Sequence, residues 1–394
     1  MKTIRRDSWP AGINNIAQPD RLPDGSVRDL LNLDPSEGGT LHRRAGFEKV
    51  LECSAGRAAF DVGRSIVVVD GPDLLGYSTL TGEATALGQL SGNVGEVAGA
   101  TLNGQLYIAT LAEQLRTDGY VRKPWIVAEP GFAVELIGTG SLGGLHRIAL
   151  TATGADGEES SAHSESIQVP PGSGLRITTT DTRPLRVYVS APNSTTLYYQ
   201  GLLIGGALAI TNINDATEQL TTDGLAPMAA CVEYVAYHGV LIGRLDNCLF
   251  VSLPMCPHLM DPIAGFFQYA GTIKALAATD GGVFVVADKT YFLTGIETRE
   301  PLQRVVLDID AVEGSAVALP DGRAAWFTRY GQAIGSPDGT VELPNRKTFA
   351  PDVAAYGAAG LVEHNGNPMV VTTMRGITKA NHLAAGDFAD LETE

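Results

Sequence analysis

Six glycines recur along this chain at nearly constant spacing, each between a turn and a short apolar run. They are Gly63, Gly104, Gly239, Gly282, Gly322 and Gly366. Successive members are separated by 41, 135, 43, 40 and 44 residues. Four of these gaps equal the length of one four-stranded blade of a β-propeller. The long gap equals one blade plus about 93 inserted residues. The repeat therefore predicts a six-bladed β-propeller.

Each glycine is expected at a hairpin tip, because a residue without Cβ adopts the positive φ of a tight turn without strain. The fourth unit is then predicted to contain strands at 273–279, 283–287, 290–294 and 303–307, and the fifth at 315–319, 323–328, 332–336 and 340–343. The second strand of each unit is almost wholly apolar. Such strands are typical of sheets that are covered on both faces.

The spacing divides the chain into five parts. We expect an extended N-terminal docking arm with a ring-closing strand (1–52), blades one and two (53–126), an inserted domain (127–225), blades three to six (226–380) and an acidic C-terminal tail (381–394). The run 40–51 is predicted to pair with 368–373 and to bury Leu41, Phe47, Val50 and Leu51, since propellers protect their open edges in this way.

The inserted segment is predicted to be a compact β-sandwich. Short strand patterns fall at 132–137, 146–153, 165–169, 174–179, 184–190, 196–200 and 207–213, separated by turn residues. The glycine-rich stretch around Gly138, Gly140, Gly143 and Gly144 is interpreted as a linker into it. The order of these strands resembles a fibronectin type III domain, with Tyr188 and Tyr198 as candidate packing aromatics.

Composition favours a large β-rich protein that does not insert into membranes. The chain has 394 residues, of which 44% are hydrophobic, with 46 glycines and 21 prolines for turns. No window approaches the roughly 18 consecutive apolar residues of a membrane helix, and the first residues lack a signal-peptide pattern, so we expect synthesis in a cytoplasm. The four cysteines, Cys53, Cys231, Cys248 and Cys256, have no framework spacing and are expected to be reduced core residues.

The first fifty residues carry a family resemblance. The text runs Gly12-Ile13-Asn14-Asn15, Leu22-Pro23-Asp24-Gly25-Ser26, Arg28-Asp29, Asn32-Leu33-Asp34 and Arg43-Arg44-Ala45-Gly46-Phe47. This text resembles the opening of propeller-type structural proteins of tailed bacteriophages, which are similar to tail nozzle, hub or tail-tip components. Several members carry a sandwich insertion between blades. The resemblance implies a role in virion assembly and no catalysis.

The charge distribution bears on that hypothesis. Residues 1–50 contain eight basic and seven acidic side chains, whereas the rest of the chain contains 20 basic and 37 acidic ones. A strongly acidic body argues against nucleic-acid capture, which needs basic contacts to the phosphates. It suits a conduit that DNA crosses without sticking, and it equally suits a protein that must stay soluble before assembly.

Three motifs were weighed as catalytic or metal sites. Ser336-Pro337-Asp338-Gly339-Thr340 approaches the turn box of sialidases but lacks its tryptophan, and an ordinary turn is favoured. Cys256-Pro257-His258 with Cys248 offers three metal ligands without a fourth at zinc spacing. Asp308, Asp310 and Glu313 form only a fragment of a calcium loop. We therefore predict no enzyme activity, no catalytic, cofactor-binding or metal-ligating residue, and no cofactor.

Two stretches are candidate interaction surfaces. Residues 253–262 contain three prolines and two methionines outside any strand pattern, and they are followed by an apolar run. Such a loop can dock a neighbouring subunit, or it can fold back over its own blade. The tail 381–394 carries four carboxylates in its last eight residues. We expect it to be solvated or ordered by a partner.

Taken with the resemblance, these features predict a homo-oligomeric ring or hub in a phage virion, partnered by itself and by adjacent tail proteins, with DNA passing through a channel. The alternative is a receptor-binding module at the tail tip that touches a host surface receptor through the loops of the inserted domain. A propeller hydrolase that cleaves host glycans is the third hypothesis, and the missing paired carboxylates disfavour it.

Overall fold

A computed structural model describes residues 8–30, 33–35, 38–43, 46, 49, 51–91, 96–298, 300–364 and 367–375. In these residues the protein is almost entirely β, with several antiparallel sheets and one short 3-10 helix. The chain forms two compact units, one of residues 1–52, 270–295 and 301–394 and the other of residues 53–269 and 296–300.

The N-terminal segment, residues 8–43, is folded and is not the extended arm expected from sequence. Its elements are β1 (Gly12–Ile13), a 3-10 helix (Pro19–Arg21), β2 (Ser26–Val27), β3 (Leu33–Pro35) and β4 (Leu41–Arg43). β1 pairs with β2 in parallel, and β3 pairs with β4 antiparallel. Gly25 and Gly39 both have positive φ, and a Cβ on Gly39 would lie 2.5 Å from the Pro10 nitrogen. These turns let the chain fold back on itself.

The predicted ring-closing strand is described only in part. Its residues Leu41–Arg43 pair with Leu33–Pro35, and Leu41 and Leu51 are half-buried. Phe47 and Val50 lie outside the described residues, so the pairing of residues 44–51 stays a prediction.

The first two sheets are four-stranded antiparallel meanders. The first consists of β5 (Gly56–Asp61), β6 (Ser65–Asp70), β7 (Asp73–Ser78) and β8 (Ala84–Gln89). The second consists of β9 (Ala98–Leu102), β10 (Gln105–Ala109), β11 (Gln114–Thr117) and β12 (Arg122–Pro124). Gly63 and Gly104 form the first hairpin tips with φ of 85° and 74°.

The inserted segment contains three long strands, β13 (Ala133–Ala152), β14 (Glu165–Ser190) and β15 (Leu197–Ile210), in that order in the sheet. All seven predicted short strands fall mainly within these runs. Partner numbers fall on one strand as they rise on its neighbour, so the paired stretches run antiparallel. Gly138 to Gly144 lie inside β13, so this stretch is part of a strand and not the linker expected.

Pairing within the insert falls into two groups. In the first group, residues 133–137 pair with 174–178, and residues 175–179 pair in turn with 206–210. In the second group, residues 144–148 pair with 165–169 and residues 148–152 pair with 185–189, which pair in turn with 198–203. Leu175 and Ile177 of the first group share one buried core with Ile148, Leu150 and Val187 of the second.

The third sheet contains β16 (Ala226–Pro227), β17 (Glu233–Tyr237), β18 (Val240–Leu245), β19 (Cys248–Leu253), β20 (Cys256–Met260) and β21 (Phe266–Gln268). Its order is β16-β20-β19-β18-β17, and β21 pairs with β19. The segment 253–262 therefore forms a hairpin that contains strand β20, which its prolines had not predicted. It folds back onto its own sheet, as in the second of the two alternatives, because β20 pairs with β19. Leu259 and Met260 are buried in it, whereas Met255 at the turn is 67% exposed.

The fourth and fifth sheets are again four-stranded meanders. The fourth comprises β22 (Ala275–Thr279), β23 (Gly282–Val286), β24 (Thr290–Thr294) and β25 (Leu302–Leu307). The fifth comprises β26 (Val317–Ala318), β27 (Ala324–Thr328), β28 (Gly331–Gly335) and β29 (Val341–Glu342). These strands match the predicted ones within a few residues. Gly282 begins β23 without a positive φ, unlike the other described repeat glycines.

The last sheet is a two-stranded ribbon of β30 (Tyr356–His364) and β31 (Asn367–Arg375). Its turn at Gly366 lies outside the described residues. No described residue of this ribbon is buried, whereas all five residues of β23 are.

Successive sheets pack against one another within each unit. In one unit β5 contacts β9, and β9 contacts β17; in the other, β22 contacts β26 and β27, and β26 contacts β30. Large side chains fill the spaces, with Phe284 packed on Trp326 at a centroid distance of 5.0 Å. The second strands β6, β10, β18, β23 and β27 are largely buried, as their apolar sequences predicted.

Candidate functional site at the root of the inserted segment

A cavity of about 160 Å³ lies where the inserted segment meets the second and third sheets. The second sheet and its exit contribute three lining residues, the insert two and the third sheet three. The lining residues are Tyr107, Arg116, Trp125, Asp156, Glu158, Met255, Pro257 and His258. We call this place the root joint.

Arg116 is the centre of charge in the root joint. It lies on β11 with only 12% of its side chain exposed, and it pairs with Asp156 at 2.8 Å and closely with Glu158. Lys123 holds the other oxygen of Asp156 at 2.6 Å. The hydrogen bond from Lys123, with the nearby Arg116 charge, keeps the pKa of Asp156 below its usual value although desolvation opposes this. The two sheet cations thus fix the carboxylates of the insert.

The hairpin that carries these carboxylates is itself rigidly bonded. Thr153 and Glu159 form an antiparallel bridge, and the Gly154 amide donates to the Glu158 carbonyl at 2.7 Å. The Asp156 amide donates to a Glu158 carboxylate oxygen at 2.8 Å. Residues 153–159 therefore enter the joint as a preformed unit.

The third sheet contributes two further ties. His258 on β20 donates from Nε2 to the Glu159 carbonyl at 2.9 Å, and burial lowers the pKa of its ring, so the neutral form is favoured. The Trp125 indole donates to the Pro257 carbonyl at 2.9 Å. The same indole ring packs edge-on against Tyr107 and Tyr234, with centroid distances of 5.3 Å to both.

Glu159 also forms hydrogen bonds with residues in the core of the insert. Its carboxylate accepts hydrogen bonds from Tyr188 at 2.7 Å and from Thr151. Burial raises the pKa of Tyr188 well above its usual range, so the phenol stays protonated and remains a donor. One residue therefore connects the third sheet, through its backbone, with the buried aromatic centre of the insert, through its side chain.

The chemistry of the root joint is that of a cross-link between three elements. Its cations are paired with carboxylates, and its neutral imidazole donates to a backbone carbonyl. Such a joint holds the insert in one orientation on its two neighbouring sheets. Sequence reasoning noted His258 only as a metal-ligand candidate and missed Arg116, Asp156 and Glu158. The acidic turn Asp156-Gly157-Glu158-Glu159 was visible, but its partners lie 33 to 42 residues away.

The structure separates the predicted metal-ligand candidates. Cys248 begins β19 and its thiol contacts the Asn247 side chain at 3.4 Å, whereas Cys256 begins β20. His258 uses Nε2 on Glu159. Among the residues that the structure describes, no group of three or more histidine, cysteine or acidic side chains could hold a metal ion.

The other weighed motifs have structural partners. Ser336 to Thr340 forms the β28–β29 turn, in which the Thr340 amide donates to Asp338 at 2.9 Å. Asp310 pairs with Lys274 at 2.6 Å and Asp308 with Lys289 at 3.4 Å.

All four cysteines are free thiols, and only part of the core assignment is correct. Cys231 is buried, which raises the pKa of its thiol to about 12. Cys248 and Cys256 are half-buried, and Cys53 is exposed, so Cys53 is not the core residue expected.

Asn14 and Asn15 of the N-terminal resemblance are held by hydrogen bonds. The Asn15 side chain forms two hydrogen bonds with the Ala350 backbone, of 3.0 and 2.8 Å. The backbone amide of Asn15 donates to the Thr348 carbonyl at 3.0 Å. The Asn14 side chain accepts from the Ala17 amide at 3.0 Å. These contacts fasten the segment to the turn 345–350 of the same unit.

No protein-family model and no curated protein matches this chain. Among solved structures it is similar to the extracellular domain of the putative hybrid two component system BT4673 from B. thetaiotaomicron, at 10% identity and a TM-score of 0.29. That match covers 74% of this chain, which spans only 33% of the length of the matched one.

Two further matches are of the same weak kind. BBS1N in complex with ARL6DN matches at 11% identity over 83% of this chain and 92% of that one, with a TM-score of 0.31. Apo AztD from Citrobacter koseri matches at 10% identity over 73% and 84%, with a TM-score of 0.28. Similarities at these TM-scores do not establish a shared fold or function. The described part of the chain contains no helix long and apolar enough to cross a bilayer.

Proposed function

We propose that this chain is a structural protein of a bacteriophage tail, located in the virion, which assembles as a homo-oligomeric ring or hub around the DNA ejection conduit. The observation that carries the proposal is the sequence of residues 12–47, which resembles the opening of phage tail proteins. Part of that text supplies the tie at Asn15 that fastens the N-terminal segment to its own unit. A folded, anchored segment offers neighbouring subunits a fixed surface.

The proposed architecture is a six-bladed propeller with a fibronectin type III-like sandwich between blades two and three. It is supported by the repeated antiparallel sheets and by the contacts between successive sheets within each unit. The sandwich is supported by the two pairing groups of the insert, which share one core. The sixth blade would be the β30–β31 ribbon, completed by further strands.

The proposed role is structural and not catalytic. In the root joint, charged side chains of the second sheet pair with those of the insert, so they are engaged with one another. The net charge of −16 suits a conduit wall, because an acidic surface repels the phosphates of passing DNA.

One observation favours receptor binding as a second candidate function. The middle of strand β15 in the insert carries Leu202 and Ile204, which are 48% and 65% exposed, beside Gly205 and Gly206. Residues 201–210 contain no polar or charged side chain. An exposed apolar stretch of this kind is typical of a contact site.

Cryo-electron microscopy of the phage particle that encodes this chain tests both candidates. A closed ring of copies in the tail, crossed by the channel, is expected. Copies found only at the distal tip, with the insert pointing to the host surface, would support the receptor-binding alternative. A particle that lacks the chain would overturn both.

A further inference from the structure

An exposed cluster of cations surrounds one tyrosine in this acidic chain. Tyr330 lies between Arg329 and Arg346, whose guanidinium carbons are 5.2 and 5.1 Å from the ring centroid. Lys347 follows Arg346 and is also exposed. We call Arg329, Tyr330, Arg346 and Lys347 the basic patch.

The cations of the basic patch have no acidic partner among the described residues. The ion pairs in that part of the chain involve other cations, and the sequence neighbours Glu342 and Asp352 do not pair with the patch. The chain carries 44 acidic and 28 basic side chains, so a cluster of three cations without an acidic partner among the described residues departs from its overall charge. They form a local attractive site for carboxylates or phosphates.

The patch is held in place before any ligand binds. Arg346 and Lys347 lie on a turn in which the Thr348 and Phe349 amides donate to the Asn345 carbonyl at 3.0 and 2.8 Å. The Asn15 contacts fasten the end of this turn. On the other side, the Tyr330 amide donates to the Thr328 hydroxyl at 3.1 Å. The backbone that carries the patch therefore needs no rearrangement on binding.

We propose that the basic patch binds the acidic C-terminal segment of this same chain, residues 387–394. That segment carries Asp387, Asp390, Glu392 and Glu394 and no cation, together with the apolar Phe388 and Leu391. Its charge and its aromatic ring complement a half-buried tyrosine flanked by Arg329 and Arg346, with Lys347 next in the chain. The inference is independent of the proposed tail function.

The length of the chain permits this contact. β31 ends at Arg375, in the same compact unit as the basic patch. Twelve residue steps separate Arg375 from Asp387, and an extended chain of that length spans about 40 Å. The segment of a second copy carries the same charges, and the experiment distinguishes the two sources.

Photo-cross-linking in the full-length chain tests the proposal. With p-benzoylphenylalanine in place of Phe388, irradiation is expected to link the tail to peptides that contain residues 329–330 or 345–347. The yield is expected to fall about tenfold in the variant Arg329→Ala/Arg346→Ala/Lys347→Ala, because its charged contacts are removed. It should also fall several-fold between 0.05 and 1 M salt, roughly as the Debye length shortens. A monomeric product identifies the chain's own tail, and a dimeric product identifies a second copy.

Two controls keep the proposal falsifiable. Arg64→Ala removes an exposed cation from another hairpin tip and should leave the yield unchanged. Asp387→Asn/Asp390→Asn/Glu392→Gln/Glu394→Gln keeps the patch intact and should reduce the yield as strongly as the patch variant. Links to other regions, or a yield insensitive to both sets of changes, would overturn the proposal. Protection of residues 329–330 and 345–347 by a short oligonucleotide at physiological salt, in a chain whose tail gives no link to them, would overturn it in favour of a phosphate-binding patch.

Discussion

At the residue scale, His258 is the side chain of the root joint whose charge changes nearest to neutral pH. Its ring is buried and donates from Nε2 to the Glu159 carbonyl. Arg116, Glu158 and Tyr107 line the same cavity. Burial lowers the pKa of the folded ring, so as pH falls the unfolded chain binds the proton first. The stability that the joint gains from the neutral ring is therefore lost as pH falls below about 6.5.

We predict that acidification from pH 7.5 to 5.5 loosens the root joint. Amide hydrogen exchange at residues 153–160, corrected for its intrinsic pH dependence, should accelerate about three- to tenfold. His258→Gln retains a donor for the Glu159 carbonyl without titrating, and its exchange should change much less over that range. Equal acceleration in both proteins would contradict the role of His258. Asp156, whose pKa is lowered, affects stability at lower pH, since the stability that its pairing contributes begins to fall only below pH about 4.

A second residue-scale prediction concerns the close approach of β7 to the loop at Gly119. A Cβ on Gly76 would lie 1.9 Å from the Gly119 carbonyl oxygen, and neither side is a flexible side chain. Gly76→Ala should therefore lower the free energy of unfolding by about 1–3 kcal/mol through overpacking. Gly360→Ala is the matched control, because a Cβ there meets nothing within 4 Å. Urea denaturation of both variants measures the difference, and equal stabilities would refute this packing.

At the element scale, local chemistry predicted strands well and long-range contacts poorly. The hairpin at Gly322 and the buried strand β23 follow from turn propensity and apolar runs, which act within about ten residues. The strand at Cys256–Met260 was missed because the prolines around it argued against a strand. Only Pro257 lies within β20, and it has no partner in the pairing of β20 with β16 or β19. The root joint was missed since its partners, such as Trp125 and Pro257, are 132 residues apart.

The insert is predicted to be removable as one element. Trp125 contacts Pro257, and Ala226–Pro227 pairs with Leu259 and Met260, so both ends of the insert lie on β20. Deleting residues 127–225 and joining the ends with a short Gly/Ser linker should leave β-rich circular dichroism and a cooperative melt. Deleting residues 270–319, which removes the fourth sheet, should abolish that melt. Loss of cooperative structure in the first variant would contradict the insertion hypothesis.

The ribbon β30–β31 is predicted to be completed by residues 44–51. Two-stranded ribbons are marginal alone, and among the described residues β31 pairs only with β30. If residues 44–51 pair with β31, amide exchange at 368–373 should be slow in the intact chain. Phe47→Asp/Val50→Asp should accelerate it at least tenfold, because charges would be placed in a covered sheet. Fast exchange at 368–373 in the unaltered chain would show that the edge is open.

At the scale of the whole molecule, the N-terminal segment is already folded, so it would dock as a preformed surface and not as a free arm. A free arm would order only on binding, whereas residues 8–43 have internal strands and are fastened at Asn15 to the turn 345–350. A partner therefore meets a preformed surface and loses less conformational entropy on binding. Arg346 and Lys347 of the basic patch lie on the turn to which this segment is fastened, so the patch and the segment share one support.

We predict that removing residues 1–39 separates folding from assembly. The sheets have their own cores, for example Phe284 with Trp326, so the truncated chain should remain soluble and melt cooperatively. Its incorporation into particles should fall at least tenfold in a phage complemented with the truncated gene, as measured by quantitative mass spectrometry of purified virions. Asn15→Ala, which removes only the tie to Ala350, should give an intermediate loss, since the segment would keep its internal strands but not its fixed orientation. Normal copy number of the truncated chain in virions would rule out docking through this segment, and absence of the intact chain from virions would rule out the tail function itself.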